Sequence, residues 1–595
     1  MPLLLLIILL FSVPAAASWQ FDGVQRVVAV SDVHGAHPAF ATTLKGAGVI
    51  DDEQSWSGGT SHLVIVGDLL DRGPDSRRSM DLLMKLEQEA EAAGGKVHVL
   101  IGNHEAMNLI GDLRYVATQE YAAFERDETE DERNAWFEKH RESRETPDYS
   151  RDEFDKAFPP GYFAHRRAFA ADGYYGAWLL SKPVIVVINQ TAFVHGGVSP
   201  MIGEYGLDGV NGKLVGEMAE YLRLLDTLYA DGILLPTDSF YDHPGLLEAW
   251  MPPLDTSPEV LDRVAKTRIL NASRLHDSDG PLWYRGNAAC SRVIEETRLL
   301  ETLEIIGANR VVIGHTPTPT RRILSRLDGA IIEVDTGMNR QSYGGTGNAL
   351  LLEAGRLSAI NEVGAEAYAV EAHPRQVGTR PGGFLSLDDT LDLLATGEVV
   401  EEITDEQGRQ IVRLQKSDRS IEAVFSPRSA RGFYPELAAF ALDQLLELDM
   451  VPATVRRKLG RRDGTLQFLV PGTLNEEQRS ASGRGSGAQC PLPDQWDAMY
   501  VFDSLIHNEA RTRDRMLYDP EGGWDLVLIG HSRSFSTKKG VPDYLSGIEL
   551  NLTDSWRKGL SGLADDVLDE ELEDALDKRR RRALANRRDL LLSGD

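Results

Sequence analysis

Five times between Arg26 and Gly355 a short apolar run gives way to a block of Gly, Asp, Asn and His. The runs are rich in β-branched residues, which predicts strands at Val27–Val30, His62–Val66, Lys96–Ile101, Val184–Ile188, Thr191–Val194 and Val311–Ile313. Ser31-Asp32-Val33-His34-Gly35 follows the first strand, and Gly67-Asp68-Leu69-Leu70-Asp71-Arg72-Gly73 the second. Gly102-Asn103-His104-Glu105 follows the third, with His195-Gly196-Gly197 and Gly314-His315-Thr316 after later ones. Met80–Ala93 reads as a connecting helix that stops at Gly94-Gly95. Apolar strands with helices between them predict an α/β fold in which helices cover β layers. In such folds ligand groups gather beyond the carboxyl ends of strands, so five loops would converge on one place.

The convergent residue types decide the chemistry. Asp, Asn and His suit hard-to-borderline divalent metals such as manganese, iron or zinc. Two ions held close together need a shared ligand and can clamp an oxyanion, and Asp68 is the natural bridging carboxylate. A single His after a strand is more often a structural residue, and His37, His62, His98 and His165 take that reading. The two cysteines, Cys290 and Cys490, are too few for a thiolate zinc cluster. They could pair between domains, and both are read as buried structural residues.

The blocks together resemble the calcineurin-like metallophosphoesterases, in the phosphoprotein phosphatase branch, whose signature is G-D-x-x-D-R-G with G-N-H-E. Within it the sequence is similar to the bacterial Shewanella-like phosphatases, on Gly102–Asn108, His195–Pro200, Pro281–Gly286, Gly314–Pro317 and Asp335–Gly337. The resemblance covers roughly residues 26 to 355. It implies a β-sandwich flanked by helices, and a dinuclear centre with Asp32, His34 and Asp68 on one ion and Asp68, Asn103, His195 and His315 on the other. It further implies a bridging hydroxide as nucleophile and His104, oriented by Asp71, as general acid. Arg72 and Arg285 would grip the phosphate, and Tyr343 is a candidate for a tyrosine that related enzymes place near the site. The implied cofactors are two divalent ions, with manganese expected and iron or zinc as alternatives. The implied substrate is a phosphorylated protein or a small phosphomonoester. A phosphoanhydride or nucleotide hydrolase of the same superfamily is the competing enzymatic reading.

A chain of 595 residues exceeds one hydrophobic core, so further domains are expected. A signal peptide is expected over 1–17, on the apolar run Leu3–Val13 and the small residues Ala15–Ser18, which implies export to the periplasm. The phosphoesterase domain is expected over 24–360, with a charged helical insertion at 111–161 read as a solvated cap. A linker at 361–383 precedes an α+β accessory domain at 384–560 and a charged, solvated C-terminal helix at 561–595. The accessory domain is weakly similar to phosphoinositide-kinase-like atypical kinases. Ser426, Glu509 and Gly530 stand where such a kinase carries Lys and two Asp residues, which implies a pseudokinase-like module, in the limit an interaction scaffold. A net charge of -29 repels nucleic acid and anionic membranes, so neither is an expected partner. No stretch after the signal is long and apolar enough for a membrane span.

Overall fold

The computed structural model describes residues 19–143, 148–362, 367–374, 386–406 and 408–594. The expected signal peptide lies outside the described residues. The first domain is built on strands β1 (Gln20–Phe21), β2 (Arg26–Val30), β3 (His62–Ile65), β4 (Lys96–Val99), β5 (Ile185–Ile188) and β6 (Thr191–Val194). It continues through β7 (Arg310–Ile313), β8 (Leu324–Arg326), β9 (Ile331–Glu333), β10 (Asn348–Glu353), β11 (Arg356–Asn361) and β12 (Glu371–Ala372). Two mixed sheets result, one ordered β1-β5-β6-β7-β9-β8-β12 and the other β11-β10-β2-β3-β4.

The sheets pack face to face, which explains why the strands read as unbroken apolar runs. Along β2, Val27 and Ala29 face the opposite sheet, meeting Val186, Phe193, Val312 and Ile332. Val28 and Val30 face outward into the helical layer, with Leu83 and Leu86 of the helix Ser76–Ala92. A strand buried on both faces has no polar side to alternate with. The fold is the expected α/β sandwich. Its β2, β3 and β4 are parallel neighbours, so the first three polar blocks emerge side by side.

Three expectations are corrected. The 111–161 segment is helical, but it is not simply solvated. Tyr121 and Phe154 join Tyr162 and Phe163 in a small aromatic core of their own. The expected linker is partly structured, since β12 pairs with β8; residues 363–366 and 375–383 of it lie outside the described residues. The charged C-terminus is two helices, Asp565–Leu572 and Lys578–Ser593, rather than one solvated helix. Leu568, Leu572, Leu584 and Leu591 enter the core of the second domain. The Lys and Arg residues around them mask that spacing.

The second domain holds a five-stranded antiparallel sheet made of β13 (Glu398–Thr404), β14 (Gln410–Lys416), β15 (Arg419–Pro427), β16 (Thr454–Leu459) and β17 (Arg462–Phe468). A smaller sheet comprises β18 (Leu474–Asn475), β19 (Met516–Asp519) and β20 (Asp525–Leu528). No described helix is long and apolar enough to cross a membrane.

The two domains are tied covalently. Cys290 and Cys490 form a disulfide across a sequence separation of 200. Arg298 pairs with Asp494 at 2.8 Å, Arg292 pairs with Glu447 at 2.7 Å, and Val293 is buried in the second domain's core. Closing a loop of that length restricts the unfolded chain strongly. Cys290→Ser is expected to cost up to about 5 kcal/mol, read as a lower denaturation midpoint in guanidinium without reductant.

Candidate metal centre

Three of the five polar blocks leave their strands through strained turns. Asp32, His34, Asp68, Asp71, Arg72 and His315 all have positive φ, between 46° and 71°. Left-handed backbone is costly for residues with a side chain and persists only where the surroundings hold it. Here it turns the side chains back across the sheet ends. Glycines allow the close approach: a Cβ on Gly314 would meet the Asp32 carboxylate at 2.5 Å.

The predicted ligands converge around Asp68. Its Oδ2 lies 3.3 Å from His195 Nε2, 3.7 Å from His34 Nε2 and 3.9 Å from His104 Nε2. Two groups have the spacing to hold an ion, His34–Asp68–His104 and Asp68–His195–His315, and Asp68 is common to both. Asp32 lies 3.9 Å from His34 and accepts from the His315 backbone N–H. Asn103 Oδ1 is 2.9 Å from His195 Nε2. All six predicted ligands are buried.

Whether this set fits divalent ions is testable on its own contacts. His34 and His195 place Nδ1 on the carbonyls of Leu70 and Val66, at 3.0 and 2.8 Å, which directs both Nε2 atoms inward. Burial pulls His34 down to about 3, so it is neutral with a free lone pair. His315 Nε2 is buried with no partner. His195 is pushed up to about 10 against its burial, because Asp68 and Asp32 favour positive charge there. Asp68 stays well below the usual carboxylate range, its burial outweighed by His195 and His104. A buried cluster with an orphaned imidazole nitrogen and carboxylates that favour positive charge fits a cation.

The remaining predicted residues surround this cluster. His104 Nδ1 is 2.5 Å from Asp71 Oδ2, and Asn108 donates to the other Asp71 oxygen at 2.8 Å. Arg72 lies against the Tyr115 ring at 4.3 Å and the Tyr343 ring at 5.3 Å, with its Nε buried and without a partner. Arg285 donates to the carbonyl of His315 and to the Thr316 hydroxyl at 2.9 and 2.8 Å. Tyr343 Oη is 3.4 Å from His34 Nε2, which places that candidate at the site. The histidines read as structural lie elsewhere: His62 and His98 bond each other at 3.0 Å, and His165 packs among aromatic rings.

Several supporting residues escaped sequence reasoning. Glu105 accepts the backbone N–H groups of Asp68, Leu69 and Gly102, each at 2.8 Å, and so shapes the turn that presents Asp68. Glu295, fully buried, accepts from Tyr284 and Asn287 on either side of Arg285. Asn287 in turn accepts from Val198 N–H in the loop after His195. The G-N-H-E block signalled Glu105. Glu295 sits unmarked in an ordinary amphipathic helix.

The chain is similar in sequence to known phosphatases. Shewanella-like protein phosphatase 2 of Arabidopsis thaliana is 33% identical over 33% of this chain and 52% of its own length, so the chain spans about half of that relative. Shewanella-like protein phosphatase 1 of Plasmodium berghei is 22% identical over 53% of this chain and 67% of its own. A cold-active protein-tyrosine phosphatase of a psychrophilic Shewanella covers 60% of this chain and 82% of its own, at 28% identity and a TM-score of 0.42. The calcineurin-like phosphoesterase model matches residues 25–319, the segment that carries all five polar blocks. Residues 25–319 form a calcineurin-like phosphoesterase domain.

Proposed function

We propose that the chain is a metal-dependent phosphomonoesterase with a dinuclear centre, acting on phosphorylated protein. The observation that carries this reading is that Asp68 belongs to both groups spaced to hold an ion. His104, a member of one of them, is bound through Nδ1 to Asp71 and is read as the acid, with Asp32 in its place as ligand. Asp32, His34 and Asp68 would hold one ion, and Asp68, Asn103, His195 and His315 the other. When bound, such ions supply positive charge that activates water at neutral pH and neutralises phosphoryl oxygens. Manganese suits this oxygen and nitrogen donor set.

The chain's own groups supply positioning and proton transfer. Arg72 and Arg285 offer guanidinium forks that match two phosphate oxygens at once. The Tyr115 and Tyr343 rings both lie against the Arg72 guanidinium. Asp71 fixes the His104 ring through Nδ1, which leaves Nε2 directed at the cluster to protonate the departing oxygen. Export is part of the proposal, supported by the Cys290–Cys490 disulfide, which needs an oxidising compartment. The second domain takes a non-catalytic role. Glu436, the helix acid a kinase would pair with a strand lysine, instead holds His531 through its backbone N–H and its ring, both at 2.8 Å.

Hydrolysis of p-nitrophenyl phosphate, phosphopeptides and nucleotides by the manganese-loaded chain tests the reading. Phosphopeptide turnover well above nucleotide turnover supports it, and the reverse order favours a phosphoanhydride hydrolase. Arg72→Lys keeps the charge but loses the fork, and is expected to lower kcat/KM about 100-fold. Steady-state kinetics checks this.

A further inference from the structure

The second domain buries a cation that has no counter-charge. Arg587, on the helix Lys578–Ser593, is 2% exposed. Its guanidinium donates to the carbonyls of Leu505, Ser536 and Lys538 at 2.7, 3.0 and 3.1 Å. These dipoles orient the group but do not neutralise it, and no carboxylate among the described residues forms an ion pair with it. The contrast within the same domain is plain: buried Arg511 is paired with Asp503 at 2.8 Å. Burial alone pulls Arg587 down to about 10, and no acid pushes it back. An isolated buried charge is costly, and proteins ordinarily pair it.

Two polar atoms at this place also lack partners, Arg587 Nη2 and the neighbouring Ser504 hydroxyl. Both residues line one cavity of about 770 Å³. Its other walls carry apolar side chains, with Ile548, Leu550, Leu590 and Leu591 among them, beside the polar Glu549, Asn551 and Arg557. Ile548 and Leu590 rank among the exposed large hydrophobic side chains of the chain. Single exposed apolar residues are ordinary, but a cluster around a cavity marks a binding surface. Glu549, the one acid on the lining, faces solvent and is not ion-paired with Arg587.

We propose that this cavity binds an amphipathic monocarboxylate, a medium- to long-chain fatty acid, with its head group at Arg587 and Ser504 and its chain along the leucine walls. Arg587 is the one buried guanidinium on the lining, Arg557 being exposed, so the inner end of the cavity neutralises one negative charge and a dianion such as a phosphomonoester would leave excess charge there. Two unsatisfied donors match the two oxygens of a carboxylate. The volume lies in the range of small-molecule sites. The site lies in the second domain, and the proposal does not depend on the phosphatase reading.

Calorimetric titration of the full-length chain with dodecanoate, below its micelle concentration, tests this. One saturable site per chain is expected, with dodecanol bound at least about tenfold more weakly because it lacks the charge. Shortening the acid is expected to weaken binding by up to about fourfold per methylene. Arg587 also ties three carbonyls, so its replacement endangers the fold; Ser504→Ala is the sounder variant. It is expected to weaken dodecanoate about tenfold and leave dodecanol unchanged, with circular dichroism as the check on folding. A folded chain with no saturable dodecanoate site would overturn the proposal. So would equal affinity for acid and alcohol, an unaltered dodecanoate affinity in Ser504→Ala, or preference for a peptide with an apolar carboxyl terminus over dodecanoate.

Discussion

Asp68→Asn is expected to reduce manganese-dependent hydrolysis of p-nitrophenyl phosphate by about a thousandfold or more. The substitution keeps the size and planarity of the side chain, so packing is little disturbed. It removes the one charge common to both ligand groups. His195 and His104 now hold Asp68 well below the usual carboxylate range, and that stabilisation disappears with the carboxylate. The Asp68 and Leu69 backbone bonds to Glu105 do not involve the altered side chain, so the turn should persist. Loss of turnover with an unchanged circular dichroism spectrum is the expected result. Retention of more than a tenth of the wild-type rate would mean that Asp68 does not bridge ions.

His104→Ala should show a leaving-group signature that simple damage does not. Protonation by a placed acid contributes about 100- to 10,000-fold to rate where the departing oxygen is basic. Serine or threonine alkoxide leaving groups are therefore expected to suffer the full loss in kcat. Nitrophenolate leaves without assistance, so its hydrolysis should fall far less. Asp71→Asn should reproduce the pattern more weakly, because Asn108 continues to hold the amide oxygen at position 71 while the charge facing His104 Nδ1 is lost. Equal losses for alkyl phosphates and p-nitrophenyl phosphate would count against His104 as the acid.

The sandwich was legible where strands are buried on both faces. Runs such as Val27–Val30 and Val311–Ile313 have no polar register to blur them, and their boundaries in the structure differ by a residue or two. Strands β8 and β11 were missed because exposed and half-buried positions break their apolar runs, as with Ser325 and Arg326 in β8 or Arg356 and Ser358 in β11. The polar blocks revealed the ligands because metal chemistry restricts residue type. No composition rule could reveal that four of those ligands, with Asp71 and Arg72, adopt left-handed backbone.

Long-range support was the least visible. Glu295 acts through Asn287 on the loop after His195, and its partners are distant in sequence or ordinary in type. Two cysteines 200 residues apart allowed pairing without requiring it. Leu584, Arg587 and Leu591 recur at helical spacing on a buried face, but the surrounding arginines gave that segment the look of a solvated helix. Charge counts describe a segment's average, while burial depends on one stripe of it.

The central claim is a centre of two ions bridged by Asp68, and ion counting tests it most directly. The wild-type chain and Asp68→Asn would be loaded with manganese, freed of excess by gel filtration and measured by elemental mass spectrometry against protein concentration. The account predicts about two ions per wild-type chain and a clear loss in the variant. A folded wild-type chain that retains one ion or none, or a variant that retains both, would contradict it.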